Sequence, residues 1–203
     1  AAMGVCNVLA LSGDDVSSGD HPEAKPVFDL DSISLLSTIR IMRDESRFLS
    51  GRKIDKAPKV FAGSTINPFV PPIKSRVRQL QKKVTAGAEF IQTQYCFDMP
   101  IMRDMMAQAV DMGLTDKTFI LAGVGTLASA KTARWLRSNV PGVHISDDII
   151  RRLEGAVNQR LEGQKICIEL MQQCKEIEGI SGVHIMAYKQ EEYVAEMGKK
   201  SGE

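Results

Sequence analysis

The sequence predicts an α/β fold built on a parallel sheet, and three observations predict it. Short apolar runs recur along the chain, helical patterns fill the gaps between them, and in the middle of the chain strand and helix alternate at a spacing of about thirty residues. Five runs read as buried parallel strands: NVLAL (7–11), KVFAG (59–63), FIQTQYCF (90–97), TFILAGV (118–124) and GVHIMAY (182–188). Each is too short for a helix, and most are bounded by turn residues.

The helices follow from periodicity and end signals. Val77, Leu80 and Val84 recur at helical spacing before Gly87, a C-terminal stop. Pro100 opens a Met-rich helix that ends near Gly113, and Ser129 starts another that runs to about Asn139, just before Pro141. Ser146-Asp147-Asp148 reads as the cap of IIRRLEGA, and residues 162–178 are helical up to a stop at Gly179. The ten methionines mostly follow these stripes and read as core filling, as do Trp135 and Leu136.

Both a doubly wound sheet and a barrel fit this alternation. No G-x-G-x-x-G follows any strand, which counts against a dinucleotide-binding unit. In a (β/α)8 barrel the chemistry gathers where the strands end. Here those ends are unusually polar: Ser12-Gly13-Asp14, Gly63-Ser64-Thr65-Ile66-Asn67, Thr93-Gln94 and Gly123-Val124-Gly125-Thr126. The reading is a single domain over residues 1–203, a (β/α)8 TIM barrel that is incomplete, with about five of its eight βα units. The first strands, roughly ninety residues at thirty per unit, are expected ahead of Ala1.

Composition narrows the partners. A chain of 203 residues with 43% hydrophobic content can bury a sizeable core. Lys plus Arg (26) nearly balance Asp plus Glu (25), so no overall field draws it to nucleic acid or an anionic membrane. No apolar run approaches the roughly 18 residues of a membrane span. The four cysteines form no C-x-x-C pair and only three histidines could join them, so no metal site is expected. Three of the cysteines sit in apolar patterns, which points to a reducing, cytoplasmic compartment.

Among the polar strand ends, Asp14 follows a glycine that lets a ligand approach the backbone. It reads equally as a turn aspartate bonded to local amides. In Phe-Ile-Gln-Thr-Gln the side chains alternate, so Gln92 and Gln94 share one face. A glutamine pointing into a barrel needs a partner there: a heterocycle with an amide-like edge, such as a pterin or flavin, or an internal polar network. Lys82 and Lys83, with Gln79 one turn earlier, could neutralise a phosphate or simply face solvent. His21 reads as a loop residue before Pro22.

The set ALSGDD, GDHPEAKPVFDLDS (19–32), KKVTAGAEFIQTQYCFD (82–98), GVHISDDIIRRLEG and GVHIMAY resembles methylenetetrahydrofolate reductase of the bacterial type. The resemblance spans essentially the whole chain and looks like the C-terminal two-thirds of that family's catalytic barrel. It implies an FAD-dependent enzyme of one-carbon metabolism and methionine supply that passes a hydride from NAD(P)H to methylenetetrahydrofolate, giving methyltetrahydrofolate. It also implies Asp14 beside flavin and substrate, Gln94 on the pterin ring, and Gly13, Phe28, Asp29, Ala62, Asn67, Gln79, Lys82 and Lys83 around FAD.

Several positions depart from the family pattern. Phe28 stands for a tyrosine, Asn67 for a histidine and Lys82 for an arginine, and lysine cannot reproduce a bidentate clamp. Ser12 stands for an arginine, Gly63 for an aromatic near the flavin, Gln190 for a late arginine, and Thr132 and Leu136 for a glutamine and a phenylalanine that contact ligands. The family's general acid, a glutamate on its first strand, has no counterpart here, so this chain alone is expected to be inactive. The alternative is a folate-binding or methyl-transfer component with little or no flavin chemistry. A homo-oligomer or a partner subunit is expected in either case, because an open sheet edge favours association.

Overall fold

The computed structural model describes residues 1–187 and residue 194. Five strands form one sheet in the order of the chain: β1 (Asn7–Ala10), β2 (Phe61–Ile66), β3 (Phe90–Tyr95), β4 (Phe119–Gly125) and β5 (Ile180–Met186). Every neighbouring pair is parallel. A doubly wound sheet reverses its strand order at a switch point and has helices on both faces. Here the order never reverses, and the sheet is consistent with part of a barrel. The described strands leave it open, because β1 and β5 each have a single strand neighbour among the described residues.

Six helices connect the strands: α1 (Ser32–Asp44), α2 (Arg76–Ala86), α3 (Met99–Asp111), α4 (Ala130–Asn139), α5 (Asp147–Gly155) and α6 (Gln159–Lys175). Their starts are chemical. Asp31 and Ser34 form a reciprocal capping box on α1, and Asp98, Ser129, Ser146 and Asn158 each accept a backbone N–H of the following helix. Gly87 ends α2 in the left-handed conformation, at φ 113°.

Side-chain alternation separates the two faces of the sheet. Ala62, Ser64, Ile66, Ile91, Ile120, Ala122 and Val124 are buried in the core beneath the helices. Leu36, Leu80, Met102, Met106, Leu153 and Met171 meet them from the helix side. Ser64 and Thr93 are polar exceptions, and the Ser64 hydroxyl donates to the Ala10 carbonyl at 2.8 Å. The opposite face carries Phe61, Phe90 and Phe119 at the strand starts. Phe61 stacks on Phe90 at 5.3 Å and tilts against Phe119 at 6.3 Å. Phe119 remains 59% exposed, and among the described residues no helix covers it.

Several expected boundaries shift. Strand β2 begins two residues late and runs on to Ile66, because the buried Ser64 finds its partner on β1. Helix α6 starts at Gln159 and ends at Lys175, three residues earlier at each end than periodicity suggests, because Asn158 supplies the cap. The thirty-residue unit holds for β2, β3 and β4, whereas three helices separate β4 from β5. Met99, Met102, Met105, Met106 and Met171 are core residues as expected. Trp135 corrects its expectation: it is 56% exposed on α4, and its neighbour Leu136 points inward instead.

Cys96, Cys167 and Cys174 are buried free thiols and Cys6 is exposed. Among the described residues no helix is long and apolar enough to cross a membrane. The position of Gln190 lies outside the described residues.

Candidate functional site

The uncovered face becomes polar toward the C-terminal ends of its strands. There a cleft of about 280 Å³ is lined by Thr65, Asn67, Gln92, Gln94, His184 and Met186, residues of β2, β3 and β5 and the turn after β2. Gln92 and Gln94 share the face, as alternation requires. The Gln94 Oε1 accepts the backbone N–H of Tyr95 at 3.0 Å. That bond takes one of the oxygen's two lone pairs and orients the amide, whose nitrogen can then donate to a ligand.

Two glycines shape the walls. A Cβ on Gly63 would fall 2.3 Å from the Phe90 ring, so that ring occupies the space over β2. A Cβ on Gly123 would fall 2.5 Å from the Thr93 carbonyl oxygen and 2.8 Å from His184 Nε2. The absent side chain opens a passage. Through it His184 reaches from β5 over β4 to the Thr93 carbonyl of β3, at 2.8 Å. A carbonyl only accepts, so Nε2 carries the proton and donates. Burial pulls the His184 pKa below its ordinary value, and the bond to Thr93 opposes this more weakly.

Around this bond the β3 to β4 register shifts between Gln92 and Tyr95. The Thr93 hydroxyl spans the break, accepting the Gly123 N–H at 2.9 Å and donating to the Gln94 carbonyl at 2.9 Å. Tyr95 extends across to β5, where its hydroxyl donates to the Met186 carbonyl at 3.2 Å, and burial raises its pKa. Sequence reasoning missed His184 as a site residue. Its partner lies 91 residues away, and only the neighbouring strand glycine hinted at the contact.

On the β2 side, Lys83 donates from Nζ to the Thr65 carbonyl at 2.6 Å. Desolvation lowers its pKa, and the Asp31 carboxylate opposes this. Asn67 ties down the following turn, donating to the Pro141 carbonyl at 3.0 Å and accepting the Phe69 N–H at 3.1 Å. Thus Asn67 and Gln94 share the cleft, and Lys83 bonds to the end of β2 without lining it.

The other candidates are dispersed. Ala62 is 2% exposed and faces the helices, because it alternates with Phe61 and Gly63; its side chain does not line the cleft. Lys82, about 100° around the helix from Lys83, lies instead in the groove between α1 and α2 with Ser37 and Arg40. Gln79 is exposed and accepts from Arg76 at 2.9 Å. Thr132 belongs to the α4 cap through Ser129. These side chains do not share the cleft with Gln94.

The loop after β1 stands apart as well. Gly13 takes a positive φ of 75°, and Asp14, Phe28 and Asp29 are all exposed, Phe28 at 84%. Ser12 closes the base of the loop by accepting the Ser32 N–H at 3.0 Å. His21 lies 3.7 Å from Glu23 in an exposed pair. Asp14 does not line the cleft that holds Gln94. β1 and β3 are separated by β2, about 10 Å between strand axes.

A parallel sheet wound in one direction, helices on one face and a polar cleft at the strand ends of the other together define an α/β protein. The family can be stated as well: residues 1–202 match methylenetetrahydrofolate reductase, and the chain belongs to that family. It is 26% identical over 208 residues to a Caenorhabditis elegans protein described as a probable methylenetetrahydrofolate reductase (NADPH). That match covers 99% of this chain and 29% of the relative, so the chain spans less than a third of the relative's length.

In structure the chain resembles an uncharacterized protein from Clostridium thermocellum described as binding two copies of 5-methyl-5,6,7,8-tetrahydrofolic acid. The TM-score is 0.53 at 15% identity, over 72% of this chain and 54% of the other. At that identity the likeness concerns the fold.

Proposed function

We propose that the chain is the folate-binding part of a methylenetetrahydrofolate reductase barrel, with the cleft around Gln94 receiving the pterin ring. One observation carries the reading: in a chain of this family, Gln92, Gln94 and Asn67 converge at the strand ends on the uncovered face. Strand C-terminal ends are where barrels of this kind hold substrates. A pterin edge presents acceptors that the Gln94 amide nitrogen can meet, which would orient the ring.

The overall reaction in this reading moves a hydride from NAD(P)H to methylenetetrahydrofolate and yields methyltetrahydrofolate. FAD would supply the hydride relay when bound. The residues assigned to it fit that role only in part. Lys83 and Asn67 stand at the strand ends, whereas Ala62 is covered, Lys82 points into another groove, and Phe28 and Asp29 lie out in solvent. Asp14 in this reading would favour the cationic form of the substrate by its charge, once the loop brings it to the ring.

This uneven fit supports a second reading, a folate-binding or methyl-transfer component that has little flavin chemistry. The two are separated by purifying the full-length protein. A flavin absorption band that NADH or NADPH bleaches and methylenetetrahydrofolate restores supports the reductase. A colourless protein that binds methyltetrahydrofolate supports the second reading, and failure to bind folate overturns both. Self-association is also proposed, on the exposed Phe61 and Phe119 of the uncovered face, and a monomer in analytical ultracentrifugation would refute it.

A further inference from the structure

One strand, β4, separates the origin of the His184 side chain from the carbonyl it binds, and Gly123 is the residue crossed. The bond falls at the point where the β3 to β4 register shifts. At such a break a strand loses part of the ladder that fixes its residues, and the local conformation needs other support. Thr93 receives that support on both its polar groups, the hydroxyl from Gly123 and the carbonyl from His184. The next residue is Gln94, whose carbonyl is held by the Thr93 hydroxyl and whose side-chain oxygen is held by the Tyr95 N–H.

We propose that His184 is a positioning residue for Gln94: by donating from Nε2 to the Thr93 carbonyl it fixes the shifted segment of β3, and so fixes the direction in which the Gln94 amide nitrogen meets a ligand. Gly123 is part of the same device, since any side chain there blocks the crossing. The proposal rests on the reading that Gln94 contacts the pterin, and it adds a group that acts through Gln94 without touching the ligand. Its ring nitrogen Nδ1 carries no proton in this arrangement and takes no part in the bond.

The test uses the full chain and 5-methyltetrahydrofolate as the probe. His184→Leu keeps the volume and removes the donor, and should weaken binding by about tenfold, the effect of one lost hydrogen bond. His184→Gln places an amide N–H near the position of Nε2 and should restore binding to within about threefold. Adding Gln94→Ala to His184→Leu should cost little beyond the worse single variant, because both act through one amide. Losses that simply multiply, or no rescue by glutamine, overturn the proposal.

A second measurement needs no ligand, and its first part needs no variant. In the ¹⁵N spectrum of the wild-type chain the His184 proton should reside on Nε2, and the Gln94 side-chain amide should give one ordered pair of signals that moves in His184→Leu. A proton on Nδ1, or Gln94 signals indifferent to His184, overturns the positioning role. If the wild-type chain binds no folate while the Gln94 signals do respond to His184, the proposed function fails and the coupling stands.

Discussion

The two halves of the candidate site are built in opposite ways. At the ends of β3, β4 and β5 several groups are tied to another strand: His184 to Thr93, Thr93 to Gly123, Tyr95 to Met186. The loop from β1 to α1 has Asp14, Phe28 and Asp29 exposed, and it is anchored chiefly at its base by Ser12 and at its exit by the Asp31 cap. The difference teaches that a sheet can fix the orientation of its polar groups before any ligand arrives. A long loop whose side-chain contacts are mostly local and exposed leaves that work to binding, at an entropic cost.

Substitutions can break this contrast or sharpen it. Ile91, fully buried on β3, should show the largest effect: Ile91→Ala is expected to lower unfolding free energy by about 2–5 kcal/mol in urea titration. A loss below 1 kcal/mol would mean the strand-end region is not the rigid half. Gly123→Ala comes next, with an expected loss of about 1–3 kcal/mol from overpacking between Thr93 and His184, read by the same titration. At the exit of the loop, Asp31→Ala removes one arm of the capping box and should cost about 0.5–2 kcal/mol. Phe28→Ser marks the other extreme and should change stability by no more than about 0.5 kcal/mol, since its ring is exposed. A larger loss would show that the loop is already docked.

Acid offers a separate probe of the ordered half. The folded-state pKa of His184 is lowered, so the unfolded chain takes up a proton at a pH where the folded chain does not. Its contribution to stability is present above the unfolded value of about 6.5 and is lost as pH falls below it. Melting temperatures of wild type and His184→Gln should therefore converge between pH 7.5 and pH 5.5, taking these limits as about one unit either side of that value. Parallel curves across this range would show that His184 titrates normally.

Much of the fold was legible in the sequence because its signals are local. Ser129, Ser146 and Gly87 mark helix ends by the chemistry of single residues, and the structure places the caps there. The polar strand ends named the region of the cleft, and alternation put Gln92 beside Gln94. What escaped depends on distant neighbours. The His184 bond requires knowing that β5 lies next to β4, and the extension of β2 requires knowing that Ser64 faces Ala10. Trp135 escaped for a different reason: an aromatic residue beside a buried leucine reads as core until the rotation of the helix is fixed.

The pairing of Gly63 with Phe90 carries a last consequence. The two residues sit side by side in the β2 to β3 register, and the ring from one strand lies over the bare backbone of the other. The resemblance implies an aromatic at position 63; in this chain a ring from the adjacent strand fills that space instead. Such positions can be exchanged only as a pair: a bulky residue at 63 requires a small one at 90, and either change made alone leaves a clash or a hole.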